Sequence, residues 1–197
     1  KAFPDQSVTK STDIGRLGLL ERENAAIING ALRPLASDVV ESFLALAKEM
    51  ALPCPLYFTK NDGTLISAEQ VSRLPVLTFA CGPTNSMRGA AFLSGIKDGL
   101  VADVGGTTLD VGEVQNGFPR PAGTAVTVAD VQTNFSMPDV ISIGLGGGSI
   151  IDREAVTVGP DSVGHRLLEE AIVFGGSVLT ASDIAVAAGR TQMGSSA

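Results

Sequence analysis

The sequence predicts an α/β chain: a helical part from 1 to 97, a hinge near Asp98, and a sheet-rich part from 98 to 197. Three observations predict it. Before 97, apolar residues recur at the three- and four-residue spacing of helix faces. After Gly99, short β-branched runs alternate or cluster between turn residues. Of the 23 glycines, eight cluster at 105–106, 144–148 and 175–176, where the backbone must turn sharply or approach something closely.

Composition bounds the rest. With 197 residues, 44% of them hydrophobic and 18% charged, the chain can build one ample core or two modest ones and is not disordered. No run approaches the roughly 20 apolar residues of a membrane-spanning helix. A net charge of −7 lacks the basic footprint of a nucleic-acid or anionic-membrane binder. With no Trp and one Tyr there is no stacking platform for single strands. Two cysteines, Cys54 and Cys81, make neither a disulfide framework nor a structural zinc site, which fits a cytoplasmic location. No signal peptide is visible, and a chain opening on Lys1 rather than Met fits a segment of a longer protein.

The elements follow in order. Glu21–Ala36 reads as a helix with Ala25, Ile28 and Leu32 on one face, ended by Pro34. Ser37–Met50 reads as a second helix, with Ser37 as N-cap and Val40, Phe43, Leu44 and Ala47 inward. Leu56–Phe58 and Thr64–Ile66 form a hairpin about Asn61-Asp62-Gly63. Val76–Phe79 reads as a buried strand, Gly82-Pro83 as a turn, and Asn85–Ile96 as a helix whose small residues allow close packing. Strands are expected at Leu100–Val104, Thr108–Val114, Ala125–Val131 and Val140–Leu145. Helices are expected at Asp161–Ile172 and Ser182–Ala188.

Several chemistries are excluded. There is no G-x-x-x-x-G-K-[ST] loop and no G-x-S-x-G elbow, and Gly144–Ser149 misses G-x-G-x-x-G at Ser149. His165 is the only histidine, so a histidine metal cluster is impossible, and it reads as a helix-surface residue. Cys81, before a helix start, reads as a small core residue; a stabilised thiolate is the alternative.

The signal that carries chemistry is Asp103-Val104-Gly105-Gly106-Thr107-Thr108-Leu109-Asp110. It joins two strands through a Gly-Gly-Thr-Thr turn with an acid at each end. Gly105 and Gly106 can present N–H groups to phosphate oxygens without side chains in the way, and Thr107 and Thr108 add hydroxyls. Asp103 and Asp110 are hard oxygen ligands suited to Mg²⁺, directly or through water. A cation is needed there, because two carboxylates beside a polyphosphate repel it. On the turn alone, an ordinary hairpin is an equal reading. A second glycine run, Gly146-Gly147-Gly148-Ser149, can offer further N–H and hydroxyl donors to an anion, with Asp152 within reach of the same cleft; a tight strand bend is the alternative.

A small-residue helix followed by this strand–turn–strand resembles the hinge helix and second phosphate loop of the actin, sugar-kinase and chaperone ATPase superfamily. That loop reads roughly D-x-G-G-G-T-x-D. Asp103, Gly105, Gly106, Thr108 and Asp110 match it, and Thr107 replaces the third glycine. Further blocks occur in order: Leu19–Ala25, Asn29–Leu32, Asn61–Gly63, Gly82-Pro83, Gly144–Ile150 and Leu179–Asp183. Together they resemble the hydantoinase A/5-oxoprolinase family across nearly the whole chain.

The resemblance implies a partial actin/sugar-kinase-like ATPase fold, with a mixed sheet flanked by helices. It implies ATP and Mg²⁺ as cofactors and hydrolytic ring opening of a cyclic amide such as a hydantoin or 5-oxoproline. Asp103 and Asp110 would be the catalytic, Mg²⁺-holding acids. Gly105, Gly106, Thr107, Thr108, Gly146, Gly147, Gly148 and Ser149 would contact ATP. Arg22 and Asn24 would be candidates for the substrate. Expected partners are a second hydantoinase-type subunit and further segments of the same polypeptide, because family chains are much longer and carry their first phosphate loop before the part matching Lys1. A clamp of this kind needs donors from both sides of a cleft, so the chain alone is expected to be inactive. Two alternatives stand beside this one: a small-molecule kinase of the same superfamily, and a non-catalytic nucleotide-binding or assembly module.

Overall fold

The computed structural model describes residues 8–123, 125–128 and 130–194. The chain forms two compact units. One holds Lys1–Gly99 and Glu113–Asp139, and the other holds Leu100–Gly112 and Val140–Ala197. A single cut at 97/98 would leave 113–139 with the C-terminal part, whereas these residues pack with the N-terminal one.

The first unit is organised by α1, which runs unbroken from Leu20 to Glu49 with Pro34 inside it. Two helices meeting near Pro34 were expected, because an interior proline loses the bond to the carbonyl four residues earlier and costs about 3 kcal/mol. Packing outweighs that cost here, since each half of α1 buries its own face. Ala25 joins Ile14, Leu74, Val76 and Phe135 in one cluster, and Val40 joins Ile66, Ala68 and Val71 in another. The carbonyl opposite the proline ring belongs to Gly30, where no side chain adds to the crowding. Ser37 is therefore mid-helix and caps nothing.

After α1, β1 (Tyr57–Thr59) and β2 (Leu65–Ser67) form the expected hairpin, each arm one residue later than the sequence indicates. Its turn is locked locally: the Asp62 carboxylate accepts from the Thr64 N–H at 2.9 Å, and Gly63 takes φ +81°. Next come α2 (Ala68–Arg73) and a 3₁₀ turn over Pro75–Thr78 where a strand was expected. Pro75 presets a helical φ. The Val76 N–H is taken by the side chain of Asn29, not by a neighbouring strand. Asn29 is fully buried, and its amide nitrogen donates to the Arg73 carbonyl at 3.0 Å and to Thr9 Oγ1 at 3.1 Å. It fastens α1 to the segment after α2.

Helix α3 spans Cys81–Ser94, so Gly82-Pro83 is its first turn and not a turn before it. Proline is tolerated there because first-turn N–H groups have no helical partner. Gly95, at φ +73°, ends the helix. The buried face is Thr84, Met87 and Ala91, while a Cβ on Gly89 would meet open space; the close packing expected of the glycines lies elsewhere on the helix. Arg88 holds the β-turn at Gly117, donating to its carbonyl and lying 3.8 Å over the Phe118 ring.

Strands β3 (Gly99–Val104) and β4 (Leu109–Gln115) follow. The C-terminal end of β4 pairs with β5 (Phe118–Pro119) in the first unit. The single strand expected over Ala125–Val131 is instead a hairpin of β6 (Val126–Val128) and β7 (Val131–Thr133), turned by Asp130 at φ +63°; Ala129 lies outside the described residues.

In the second unit, β8 (Val140–Ile143) pairs antiparallel with β4, with Leu109 opposite Ile143, Asp110 opposite Ser142, Val111 opposite Ile141 and Gly112 opposite Val140. Strands β9 (Ser149–Asp152) and β10 (Thr157–Ser162) form a bulged hairpin. The helix expected over Asp161–Ile172 is broken up. Ser162 pairs with Ser149, Gly164 takes φ +57°, α4 is confined to Leu167–Glu170, and Ala171 is extended. A non-local ladder overrides the local apolar spacing. His165 is exposed on the short turn Gly164–Arg166. Helix α5 (Ala181–Ala187) opens on a capping box between Thr180 and Asp183. Among the described residues no helix is long and apolar enough to cross a membrane.

Candidate functional site

The second unit contains the acid–Gly-Gly–acid turn. The Gly105 N–H donates to the Thr108 carbonyl at 2.8 Å, closing a tight connection between β3 and β4. Carried back along the strands, that closure sets Asp103 across from Asp110. On the far side of β4, Asp110 faces Ser142, whose hydroxyl donates to its carboxylate. Asp103, Asp110 and Ser142 thus form one polar row across three strands. Val104, Leu109 and Ile143 form the adjacent apolar row. Gly105, Gly106, Thr107 and Thr108 are exposed at the tip, and the two acids are half-buried at its base. Among the described residues, no carbonyl or side chain accepts from the N–H of Gly106 or Thr107.

The second glycine run differs. Its four consecutive N–H groups are all engaged within the chain: Gly146 to Ser149 Oγ at 2.9 Å, Gly147 to the Gly105 carbonyl at 3.0 Å, Gly148 to the Gly106 carbonyl at 2.7 Å, and Ser149 to the Gly146 carbonyl at 3.0 Å. Gly146, Gly148 and Ser149 are buried. The expectation that these amides face an anion does not fit this bonding; they face the first turn. Asp152 is likewise occupied, accepting from Glu154 and Ala155 at 2.8 and 3.0 Å, so it caps its own turn.

The run is tied into α5. The Gly147 carbonyl accepts from the Ser182 N–H at 2.9 Å, and the Gly148 carbonyl from Val163 at 3.0 Å. Behind them Asp183 accepts from the Thr180 N–H and hydroxyl at 2.7 Å each and from Val173 at 2.6 Å. Burial alone would raise the Asp183 pKa, but the hydrogen bonds from Thr180, Val173 and Ile172 outweigh it and hold the carboxyl below its ordinary value.

Arg22 and Asn24 sit in the first two turns of α1, in the first unit. The Asn24 side chain donates to the Gln132 carbonyl at 2.9 Å, and Arg22 Nε is buried without a partner. Cys81 is half-buried at the start of α3 and borders a groove of about 650 Å³ with Phe43, Phe58 and Phe79. Sequence reasoning missed Ser142 and Ser182. The signal for Ser142 was present, as a lone hydroxyl in the apolar strand Val-Ile-Ser-Ile.

No cluster of three or more His, Cys, Asp or Glu side chains spaced for a metal occurs among the described residues. Two half-buried carboxylates beside free N–H donors fit Mg²⁺ nonetheless, since that ion keeps several waters and takes one or two carboxylates plus phosphate oxygens.

The chain combines an α/β architecture with an acid-flanked glycine turn, and comparison with known proteins gives its family. Residues 22–194 match the hydantoinase/oxoprolinase family model, and the chain belongs to that family. It is 28% identical over 184 residues to the acetophenone carboxylase gamma subunit of Aromatoleum aromaticum, covering 89% of this chain and 25% of that protein. It is 26% identical over 161 residues to an uncharacterized protein of Methanocaldococcus jannaschii, covering 73% of this chain and 24% of that protein. Among solved structures it resembles nucleotide-free acetone carboxylase (TM-score 0.64, 24% identity, 92% of this chain and 26% of the other). It also resembles the ATP-dependent caprolactamase of Pseudomonas jessenii (TM-score 0.68, 22% identity, 98% and 29%). These likenesses show the fold to be of the actin-like type found in that family. The chain spans about a quarter of the length of these relatives.

Proposed function

We propose that this chain is part of the nucleotide-binding unit of an ATP- and Mg²⁺-dependent enzyme that activates a carbonyl oxygen, in the first instance a cyclic amide that is then hydrolysed. The observation that carries the reading is the exposed turn Gly105–Thr108 with free N–H groups at its tip and Asp103 and Asp110 at its base. Family membership and the ATP dependence of both structural relatives support it.

In this reading Gly106 and Thr107 donate backbone N–H groups to phosphate oxygens, and the Thr107 and Thr108 hydroxyls add donors. Asp103 and Asp110 would hold Mg²⁺, with Ser142 keeping Asp110 in place. The ion would neutralise phosphate charge and orient the terminal phosphoryl group. The amide oxygen attacks that phosphorus and the bond to ADP breaks. The ring carbon, now electrophilic, takes up one water, and the C–N bond opens as the nitrogen takes a proton from that water and leaves as an amine. The acyl phosphate that remains is hydrolysed to carboxylate and orthophosphate. An unstrained amide is a poor electrophile, so the chemistry needs this activation. Arg22 and Asn24 are proposed for the substrate side. A partner subunit is proposed because the acetophenone carboxylase relative is named as one subunit of an assembly, and a cytoplasmic setting because ATP is the co-substrate.

The two carboxylase relatives favour a second reading, in which the activated oxygen belongs to a carboxylation substrate. The test is product analysis on the complete enzyme, supplied with ATP and either 5-oxoproline or a hydantoin, or a ketone with bicarbonate. Ring-opened acid with ADP and orthophosphate supports the first reading, and carboxylated ketone supports the second. A stable phosphorylated product would indicate a kinase. ATP binding with no substrate-stimulated phosphate release would indicate a nucleotide sensor.

A further inference from the structure

We propose that Gly146, Gly147 and Gly148 are positioning residues that aim the phosphate-binding amides of the first turn without touching the ligand; this rests on the nucleotide-binding reading of that turn. In a trans peptide the C=O and the following N–H point in opposite directions. The Gly105 carbonyl is held by the Gly147 N–H and the Gly106 carbonyl by the Gly148 N–H. Fixing those two carbonyls toward the buried run therefore fixes the Gly106 and Thr107 N–H groups on the opposite, exposed side. Two successive N–H groups directed to one side form an anion-binding concavity. Without the brace, each peptide plane of an exposed glycine turn could rotate, and an anion would have to order it on binding.

Gly146 makes the brace close enough to work. A Cβ there would lie 2.6 Å from the Gly106 carbonyl carbon, 2.6 Å from the Thr107 nitrogen and 2.7 Å from the Gly105 oxygen. Its α-carbon rests directly on the peptide that carries the Thr107 N–H. A Cβ at Gly148 would lie 3.1 Å from the Gly106 oxygen and 2.9 Å from Ser162 Oγ. The brace is rigid because its own carbonyls are taken by Ser182 and Val163.

The test is amide NMR of the full 197-residue chain, with Mg·ATP as probe, followed by titration of Gly146→Ala. Without nucleotide, the Gly147 and Gly148 amides should exchange slowly and those of Gly106 and Thr107 rapidly. Mg·ATP should shift the Gly106 and Thr107 resonances strongly and those of Gly147 and Gly148 weakly. Gly146→Ala should weaken Mg·ATP binding about tenfold or more, while Gly89→Ala, whose Cβ meets open space, leaves it unchanged. Fast exchange at Gly147 and Gly148, or a response to Mg·ATP confined to them, overturns the brace. Retained affinity in a folded Gly146→Ala overturns its positioning role. Slow exchange at both amides with no response to Mg·ATP anywhere in the first turn upholds the brace geometry and sinks the nucleotide reading instead.

Discussion

The two glycine turns of the second unit use the same residue for opposite reasons. In Gly105-Gly106 the missing side chains leave space outside the protein: a Cβ on Gly106 would meet nothing within 4 Å. In Gly146–Gly148 they leave space for another stretch of backbone, and a Cβ on Gly146 would meet three backbone atoms at 2.6–2.7 Å. One turn is open to a ligand, and the other is filled by the first. A glycine run is evidence of close approach, and what approaches is decided by where its N–H groups point.

The comparison makes separable predictions. Gly146→Ala should cost stability, about 1–3 kcal/mol as for other overpacked sites, read as a fall in denaturant midpoint, together with nucleotide affinity. Asn29→Ala should cost about 1–3 kcal/mol as well, by stranding the buried Val76 N–H and Arg73 carbonyl. Being in the other unit, it should leave Mg·ATP affinity unchanged, which separates loss of fold from loss of site. Gly106→Ala should do the reverse. Its thermal unfolding should stay near wild type, while its Mg·ATP affinity falls about tenfold because the new methyl stands where phosphate would approach. A destabilised Gly106→Ala with intact affinity would erase the distinction between the turns.

The smallest effect is one of pH. Asp183 caps α5, whose Ser182 N–H holds the Gly147 carbonyl. Its pKa is lowered in the folded chain. The unfolded state therefore takes up the proton first, and the stabilisation is complete only above the ordinary carboxylate range near 4. It is lost as pH falls through the folded value. Protection of the Gly147 amide, relative to the exchange rate of an unstructured amide at the same pH, should fall on acidification, and Asp183→Asn should remove that part of the pH dependence.

What was legible in the sequence was local. The Asn61-Asp62-Gly63 hairpin and the Gly105–Thr108 turn are set by neighbouring residues, and both were readable. The family blocks carried the fold type. Three of the misreadings involve distant partners. Pro34 marks a helix end by propensity, but two clusters formed with residues 14 to 135 hold α1 together. Asp161–Ile172 has helical spacing, but Ser149 captures Ser162 in a ladder. Val76 reads as a strand residue until Asn29, 47 positions away, takes its N–H. The brace role of Gly146–Gly148 was hidden for the same reason, since its acceptors lie in the 105–106 turn.

The central claim is that the turn between Asp103 and Asp110 binds nucleotide through Mg²⁺. Calorimetric titration of the chain with ATP, with and without Mg²⁺ and beside Asp103→Asn, tests it most directly. The account predicts binding that requires Mg²⁺ and is lost in the variant while its fold is retained. Binding that is indifferent to Mg²⁺, or equal in Asp103→Asn, would contradict it.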